Sequence, residues 1–427
     1  MPRVLLLATT TGYQTRMFEE AARRMGVELV YGTDRCKRLD DPWQDGAVPV
    51  RFHDCDASVA AIERATAGRP LDGVIAVGDR PAVLAAHVNR HLGLPGHPPD
   101  AAVIARNKRR MRACLHVAGL PAPEAWPLAL TDDAASLAAD LPYPVVVKPT
   151  TLSASRGVIR ADDEASCVAA VARVRRLLAS PDVRAAREDE AGVLQVERYI
   201  EGAEYAVEGV MEQGRLRVLA LFDKPDPLVG PFFEETIYVT PSRVEASTRL
   251  AIVEAVDAAI RAIGLHHGPV HAECRVAADG VYVLEVAARP IGGLCARALG
   301  FEPAVAAAGA PGNRQGLEDL LLRHALGEPM AGWTREAAAS GVMMIPIPRA
   351  GVFTRIRGLD AARAVGGVED VVVTAKPGQT LVPLPEGASY LGFIFARDAC
   401  PATVEHALRE AHGRLQVGMA PSLRVVG

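Results

Sequence analysis

The sequence predicts an α/β protein with an N-terminal doubly wound parallel domain, a central α+β region and a C-terminal strand-rich subdomain. Apolar strands alternate with amphipathic helices through about residue 100, starting with the strand RVLLLATT and the helix TGYQTRMFEEAARRMG. That alternation is typical of a parallel sheet covered on both faces. Beyond it, helices mix with strand hairpins, and residues 341–427 contain the apolar segments GVMMIPIP, DVVVTA and YLGFIFA.

The elements follow in order. VELVYGT, VPVRFH and DGVIAVGD continue the N-terminal strands, RPAVLAAHVNRHLG is a helix, and GLPGHPPD is a linker rich in proline and glycine. One basic helix then carries Lys108, and YPVVVKPT and VLQVERYI are strands on either side of a helix near 163–179. A hairpin turns at Gln213-Gly214, followed by strand FFEETIYV, helix 245–264, a second hairpin, helix GLEDLLLRHALGEP and the C-terminal helix PATVEHALREAHGRL.

Composition excludes several classes of function. The chain has 427 residues, 49% of them apolar and 23% charged, as in a soluble globular protein. A net charge of −4 gives no electrostatic case for a nucleic-acid or membrane partner. Seven cysteines without a CxxC pair argue against a disulfide framework, and no apolar run is long enough for a signal peptide or membrane span. We expect a cytoplasmic protein.

Two glutamates in the second hairpin, HAECRVAADGVYVLEVAAR, are the first candidate site. A three-residue loop ending at Gly280 pairs residue 277 with 281, which places Glu273 opposite Glu285 and His271 opposite 287. Like charges at such positions are destabilising. One carboxylate must hold a proton, or a cation must lie between them, and carboxylate oxygens suit Mg²⁺ or Mn²⁺. The plainer alternative is a salt bridge from a buried glutamate to Arg275 or Arg289.

A second group of candidates surrounds Lys148, which ends the buried strand VVVKP. Open α/β sheets place ligands at that end. The following loop TTLSASRGV is small and hydroxyl-rich, so its backbone amides and the hydroxyls of Ser153 and Ser155 can wrap phosphate oxygens. Lys108 lies in a basic helix, and a run of basic residues considered by itself indicates a helix face exposed to solvent. The segment VERYIEGAEY carries Glu197 and Glu204 on either side of a turn. This turn could offer backbone groups to a flat heterocycle; the alternative is an ordinary strand end.

The usual nucleotide and hydrolase motifs, GxxxxGK[ST], GxGxxG after the first strand, HExxH and GxSxG, are missing. The order that remains is specific: a helix lysine, VVVKP, a Ser/Gly loop, VERYIEGAE, then HAE and LEVAAR. This order resembles the ATP-grasp superfamily over roughly residues 100–340. The resemblance implies a Rossmann-like preceding domain at 1–100, a lid subdomain at 101–195, a central catalytic subdomain at 196–340 and a C-terminal α+β subdomain at 341–427.

The resemblance assigns roles to individual residues. Lys108 and Lys148 resemble the lysines on the ATP phosphates, and Ser153, Ser155, Arg156, Gly157 and Val158 the loop that closes over them. Glu197, Arg198, Tyr199 and Ile200 resemble the hinge that binds adenine, and Glu204 the carboxylate on the ribose. Glu273 and Glu285 match the metal ligands, Arg289 the catalytic arginine at the transferred phosphoryl group, with Lys148 assisting. Glu235, His271, Gly292 and Gly293 are the remaining substrate-site candidates, with Glu235 placed at the amine's ammonium group.

One departure concerns the metal site. The superfamily commonly has Glu-x-Asn-x-Arg where this chain has Glu285-Val286-Ala287-Ala288-Arg289, so Ala287 cannot be a third ligand. Two roles stay open for His271, which faces residue 287: a ligand in place of the missing Asn, or a supporting residue behind the ligands. The E-x-A-A-R form is similar to dipeptide-forming L-amino-acid ligases. In those enzymes a bulky residue four positions after the arginine limits the substrate pocket, and here that position is Gly293, which implies a roomier pocket.

The resemblance implies an ATP- and Mg²⁺- (or Mn²⁺-) dependent ligase. Such an enzyme activates a carboxylate as an acyl phosphate and joins it to an amine, releasing ADP and phosphate. The partners are then a small carboxylic acid and an amine, and the resemblance implies a homodimer. Two alternatives stay open: an ATP-grasp carboxylase or kinase-like relative, and a nucleotide-binding regulatory module without turnover, for which Ala287 is the argument.

Overall fold

A computed structural model describes residues 1–9, 13–34, 47–187, 192–304 and 314–421 of the chain. The start of the helix expected at 11–26 and residues 422–427 of the expected C-terminal subdomain lie outside these ranges. None of the described helices is long and apolar enough to cross a bilayer.

The described residues form strands and helices in the following order. The strands are β1 Arg3–Ala8, β2 Glu28–Thr33, β3 Val48–Pro49, β4 Gly73–Val77, β5 Ala125–Ala129, β6 Val145–Pro149, β7 Ile159–Ala161, β8 Val193–Arg198, β9 Ala203–Glu212, β10 Arg215–Asp223, β11 Ile237–Thr240, β12 Gly268–Ala277, β13 Gly280–Ala287, β14 Phe301–Pro303, β15 Trp333–Arg335, β16 Ala339–Ile345, β17 Gly351–Arg357, β18 Val368–Val373, β19 Thr380–Leu381, β20 Gly392–Asp398 and β21 Gln416–Ala420. The helices are α1 Tyr13–Met25, α2 Cys55–Thr66, α3 Asp79–Leu92, α4 Pro99–Arg106, α5 Lys108–Val117, α6 Ala134–Ala138, α7 Glu164–Leu178, α8 Pro181–Ala185, α9 Ala246–Ile263, α10 Leu317–Ala325, α11 Leu359–Arg363 and α12 Pro401–Gly413.

The N-terminal sheet confirms the predicted doubly wound domain. Its four strands are parallel in the order β3-β2-β1-β4. Leu5 and Leu7 of β1 pack into one hydrophobic core, and Val4 and Leu6 pack into another on the opposite face. Both faces are therefore covered, which is why the strand reads as an unbroken apolar run. The strand order reverses between β1 and β4, and open α/β sheets bind ligands at such a point.

The basic helix around Lys108 is two helices, not the single one expected. Asn107, with φ −102° and ψ 109°, ends α4 and caps α5. Its side-chain oxygen accepts hydrogen bonds from the backbone amides of Arg109 (3.0 Å) and Arg110 (3.1 Å). Asparagine at this position satisfies amides that have no partner within the helix. The break makes Lys108 the first residue of α5, where its own amide donates to the carbonyl of Thr150 at 2.9 Å.

The lid sheet, which we define as β5–β8, is antiparallel in the order β5-β8-β6-β7. Strand β6 is buried along its whole length, and helix α7 covers the sheet through residues such as Val171 and Val174. Strand β8 extends to Arg198, so the division expected between 195 and 196 falls inside a strand of this sheet.

The central sheet has eight strands in the order β13-β12-β9-β10-β11-β16-β20-β18. Three strands of the C-terminal region, β16, β18 and β20, extend this sheet through the pairing of β11 with β16. The sheet is thus continuous across the division expected at 340/341, and the C-terminal region contributes to the same layer as the glutamate hairpin. The remaining small sheets are β19-β17-β21 and β14-β15.

The glutamate hairpin has the predicted pairing of Glu273 with Glu285, but not the predicted loop. Ala277 pairs with Gly280, so only two residues lie in the turn, and Arg275 pairs with Tyr282 rather than with 283. By itself this shift would move Glu285 out of register with Glu273. A β-bulge at Leu284 restores the register, after which Glu273 faces Glu285 and His271 faces Ala287. The expected three-residue loop was therefore wrong, and one inserted residue compensates for the shorter turn.

Candidate active site

A cavity of about 600 Å³ opens between the carboxyl ends of the N-terminal strands, the lid sheet and the central sheet. Most residues singled out in the sequence line it: Lys108, Lys148, Ser153, Ser155, Val158, Glu197, Arg198, Tyr199, Ile200, Glu204, Glu235, His271, Glu273, Glu285, Arg289, Gly292 and Gly293. Arg156 and Gly157 do not. Residues that lie up to 185 positions apart along the chain thus share one site at the topological switch point of the first domain.

Two lysines line the cavity, and each pairs with a carboxylate. The ammonium of Lys148, at the end of β6, donates to Glu197 at 2.5 Å. The ammonium of Lys108 lies 3.2 Å from a carboxylate oxygen of Glu285 and donates to the carbonyl of Leu152 at 2.9 Å. Burial lowers the pKa of Lys148, and the negative charge of Glu197 offsets part of that effect. A pair of fixed cations of this kind suits phosphate groups.

Glu197 has a second partner, Arg112, which the sequence reading missed. The guanidinium of Arg112 donates to both carboxylate oxygens of Glu197, at 3.0 and 3.2 Å. Burial would raise the pKa of Glu197, but Arg112 and Lys148 outweigh burial and hold that pKa at about 2. The side chain of Glu197 is therefore a buried anion that fixes two cations, so we expect the hinge to offer backbone groups rather than this carboxylate to a base.

The hinge segment and Glu204 are organised by Arg275. Its guanidinium donates to Glu204 (2.8 Å) and to the carbonyl of Ile200 (2.8 Å), and it lies over the ring of Tyr199 at 4.9 Å. Tyr199 also stacks on Phe233 with ring centroids 6.3 Å apart. The alternative of a salt bridge from Arg275 to a hairpin glutamate is wrong, since its carboxylate partner is Glu204. Tyr199 and Phe233 thus form an aromatic wall of the cavity, and Glu204 and Arg275 form a polar edge beside it.

The Ser/Gly loop curls over the cavity in a left-handed conformation. Ala154, Ser155 and Gly157 have φ values of 56°, 54° and 75°. Ser153 and Ser155 line the cavity, whereas Arg156 turns away and donates to the carbonyl of Glu386 (2.8 Å) and to Asp182 (2.7 Å). The amide of Gly157 donates to the carbonyl of Pro385 at 2.8 Å. Arg156 and Gly157 thus tie the loop to the C-terminal region.

A buried lysine among three carboxylates is the second feature that the sequence reading missed. The ammonium of Lys224 lies 2.8 Å from Glu204, 2.5 Å from Glu235 and 2.9 Å from Glu273. Burial would lower the pKa of Lys224, but these carboxylates raise it well above its ordinary value. Burial and the charge of Glu273 raise the pKa of Glu235. The signal in the sequence was a lysine directly after the buried strand segment ALFD.

The oxygen-rich chemistry of this region fits a hard divalent cation. One oxygen from each of Glu204, Glu235 and Glu273 lies within 4.8 Å of the others, and Glu285 faces Glu273 across the hairpin. Carboxylate oxygens at such spacing are the ligands that Mg²⁺ and Mn²⁺ prefer. The Lys224 ammonium already lies among the oxygens of Glu204, Glu235 and Glu273, so a divalent cation at the hairpin would lie between Glu273 and Glu285.

His271 links the hairpin to a buried acid. Its Nδ1 lies 3.0 Å from Glu208, and its Nε2 lies 3.6 Å from Glu273. Burial would lower the pKa of His271, but the bonds to Glu208 and Glu273 raise it to about 9. Glu208 also accepts the amide of Ile291 at 3.1 Å. His271 therefore orients Glu273 from behind, in keeping with a supporting role.

Arg289 is held by a carboxylate of the first domain. Its Nε donates to Asp79 at 2.8 Å, and its Nη1 donates to the carbonyl of Pro290 at 3.0 Å. Burial would raise the pKa of Asp79, but Arg289 outweighs burial and lowers it. The alternative salt bridge between Arg289 and a hairpin glutamate is wrong, because Asp79 occupies that place. Asp79 follows the parallel strand β4, so its position at the switch point was a signal in the sequence.

Gly292 and Gly293 both line the cavity, but they differ in what a side chain would meet. Gly293 has φ +62°, and a Cβ there would lie 3.1 Å from the buried Phe393 ring. A Cβ on Gly292 would meet nothing within 4 Å. Gly292→Trp is therefore expected to narrow the range of accepted acids with little loss of stability, whereas Gly293→Trp also strains the backbone.

The check is a substrate profile of both variants beside thermal melting curves. An unchanged profile for Gly292→Trp, with the variant folded, would show that this position does not limit the substrate pocket.

Comparison with known proteins identifies the family of this chain. Family models described as ATP-grasp N-terminal domain, ATP-grasp domain and L-amino acid ligase C-terminal domain 2 match residues 18–96, 141–298 and 343–420. The crystal structure of an L-amino acid ligase from Bacillus licheniformis superposes with a TM-score of 0.80 at 27% identity, over 98% of this chain and 99% of that one.

Curated relatives extend the comparison. Alanine–anticapsin ligase of Bacillus amyloliquefaciens is 30% identical over 199 residues, which are 44% of this chain and 41% of that protein. The chain thus spans less than half the length of that relative. An uncharacterized protein of Sinorhizobium fredii is 22% identical over 99% of this chain and 84% of its own length. From the three consecutive family matches and the superposition, this chain belongs to the ATP-grasp superfamily and is a carboxylate–amine ligase of that superfamily.

Proposed function

We propose that this protein activates a substrate carboxylate as an acyl phosphate and joins it to an amine, with amino acids as both substrates. The observation that supports it is the meeting of Lys108, Lys148, the facing glutamates 273 and 285, and Arg289 in one cavity. Amino acids are proposed because the relatives are named L-amino acid ligase and alanine–anticapsin ligase.

In this proposal ATP lies between the lid and central sheets. Its base packs between apolar residues on the two sides, Val146 from β6 and Leu284 from β13, both of which line the cavity. Lys148 and Lys108 neutralise the phosphates as fixed point charges, and the backbone of the Ser/Gly loop covers them. The carboxylates of Glu273 and Glu285 would hold Mg²⁺, which when bound neutralises charge on the terminal phosphates.

The first chemical step forms a bond between a substrate carboxylate oxygen and the γ-phosphorus, and breaks the bond from that phosphorus to the β,γ-bridging oxygen. ADP leaves. The guanidinium of Arg289 has N–H donors that can reach two oxygens of the transferred phosphoryl group at once. Its hydrogen bond to Asp79 fixes the orientation of the guanidinium plane. Since the guanidinium is already oriented, little reorganisation is needed as the transition state forms.

In the second step the ammonium group first releases one proton to solvent, and the neutral amine nitrogen then forms a bond to the acyl carbonyl carbon. The bond from that carbon to the bridging phosphate oxygen breaks, and inorganic phosphate leaves with the second proton lost from nitrogen. Glu235 lies on the cavity wall, paired with Lys224 at 2.5 Å, and is the proposed contact for the amine's ammonium group. Amide, ADP and phosphate are the products.

Two measurements on purified protein test the proposal. Phosphate release from ATP should occur with pooled free amino acids, and neither N-acetylated amino acids alone nor amino-acid amides alone should support it. A carboxylate labelled with ¹⁸O should transfer one labelled oxygen to the released phosphate, because the acyl phosphate retains it. Tight ATP binding without release under any pool would support the nucleotide-binding module, and release without label transfer would exclude the acyl phosphate.

A further inference from the structure

Arg112 is buried at the junction of the lid, helix α5 and the glutamate hairpin. Its side chain is 1% exposed. Besides Glu197, the guanidinium donates to two hairpin carbonyls, those of Val283 (2.8 Å) and Leu284 (2.9 Å). One side chain thus bonds to the carboxylate that holds Lys148 and to the backbone just before Glu285.

The two carbonyls belong to the β-bulge. In a regular strand, successive side chains point to opposite faces. At the bulge this alternation is interrupted, so Leu284 and Glu285, which follow each other in sequence, both line the cavity, while Val283 and Val286 on either side pack into the core. The bulge therefore presents an apolar surface and a carboxylate side by side on one face.

Strand β13 is the edge strand of the central sheet and carries a bulge, so some of its backbone groups lack ladder partners, and buried groups of this kind need others. Helix α5 supplies them. Arg112 bonds to the carbonyls, and the amide of Val286 contacts the sulfur of Met111 at 3.3 Å. The partners come from adjacent residues of one helix, whose start at Asn107 is fixed by its cap.

We propose that Arg112 is a positioning residue that holds the bulge at Leu284, and thereby keeps Glu285 on the cavity face. This inference rests on the proposed function for the role of Glu285. Arg112 touches no substrate. It acts through the backbone of β13 on one side and through Glu197 on the other.

Four variants separate this role from simple neutralisation of Glu197. Arg112→Met removes the hydrogen bonds to Glu197 and those to the carbonyls of Val283 and Leu284, whereas Glu197→Gln removes only the negative charge of the carboxylate. The double variant Arg112→Met/Glu197→Gln removes the buried charge that the single Arg112 change would leave uncompensated. Arg110→Met, at an exposed arginine on the same helix, is the matched control.

Two readouts are used: Mn²⁺ affinity at saturating ADP, by electron paramagnetic resonance, and amide hydrogen exchange of residues 283–286 without metal. Arg112→Met and the double variant are expected to lose about 10–100-fold in Mn²⁺ affinity, the range typical of residues that orient metal ligands. Both should exchange faster at 283–286 than Glu197→Gln does, and Arg110→Met should stay close to the unchanged protein.

Recovery of Mn²⁺ affinity and slow exchange in the double variant would overturn the inference, because Arg112 would then serve only Glu197. Unchanged exchange in Arg112→Met would overturn it as well. Failure of the unchanged protein to bind Mn²⁺ would count against the proposed metal site, whereas the exchange experiment tests Arg112 independently of any metal.

Discussion

Replacing Glu285 by glutamine is expected to lower amide-forming turnover by at least about 100-fold, because loss of a direct metal ligand should cost no less than loss of a supporting one. Glutamine keeps the shape of the side chain but removes the charge that faces Glu273 and lies 3.2 Å from the Lys108 ammonium. The side chain is 28% exposed, so the fold should persist. Turnover is measured as amide formed per enzyme, beside a melting curve.

Glu302→Gln is the matched control, since Glu302 is an exposed carboxylate in β14 that does not line the cavity. It should retain full turnover. If Glu285→Gln instead forms amide at the normal rate, the proposed metal site is wrong, and the facing glutamates serve only to hold Lys108 and Lys224.

Replacing Arg289 by methionine is expected to lower turnover by about 10²–10³-fold, the loss typical of removing one oriented donor to a developing oxyanion. ADP affinity should change little, because Lys108 and Lys148, rather than Arg289, are the proposed partners of the phosphates that ADP retains. The variant leaves Asp79 buried without its partner, which costs about 3–5 kcal/mol of stability. Turnover must therefore be measured well below the melting temperature of the variant.

Two further variants separate the effect of Arg289 on turnover from its effect on stability. Arg289→Met/Asp79→Leu removes the uncompensated charge, so it should regain stability but not turnover. Asp79→Asn retains the guanidinium and loosens its orientation, and should fall between the unchanged protein and Arg289→Met. Full turnover in the stable double variant would show that Arg289 only holds the two domains together.

The glutamate hairpin shows how far the sequence leads. Period-two alternation and the opposed charges were enough to predict that Glu273 faces Glu285. The loop was wrong by one residue, and a bulge at Leu284 compensates. Alternation within a strand cannot reveal that bulge, because its carbonyls are satisfied by Arg112, which lies more than 170 positions away in sequence.

In helix α5 the sequence contained a signal of burial that was interpreted as a solvated face. Read alone, its basic residues indicated a solvated face. The buried residues are Lys108, Met111, Arg112 and Leu115, which recur at the spacing of one helical face. Charged residues on an inward face require partners of opposite charge. Those partners, Glu197 and Glu285, come from other sheets, so only the tertiary structure identifies them.

The three carboxylates around Lys224 and the contact of Asp79 with Arg289 were missed for the same reason. Lys224 and Asp79 were each visible in the sequence only as a charge shortly after a buried strand, and their partners come from other elements. The resemblance to the ATP-grasp superfamily supplied the roles of the hairpin glutamates and of Arg289. It did not supply the chain's own devices for holding them.

The proposed mechanism depends most on a divalent ion between the hairpin carboxylates. Crystals grown with Mn²⁺ and a non-hydrolysable ATP analogue should show an anomalous peak bound by both Glu273 and Glu285, next to the terminal phosphate. Lys224 and Lys108 still paired with those glutamates, with manganese elsewhere or missing, would contradict it.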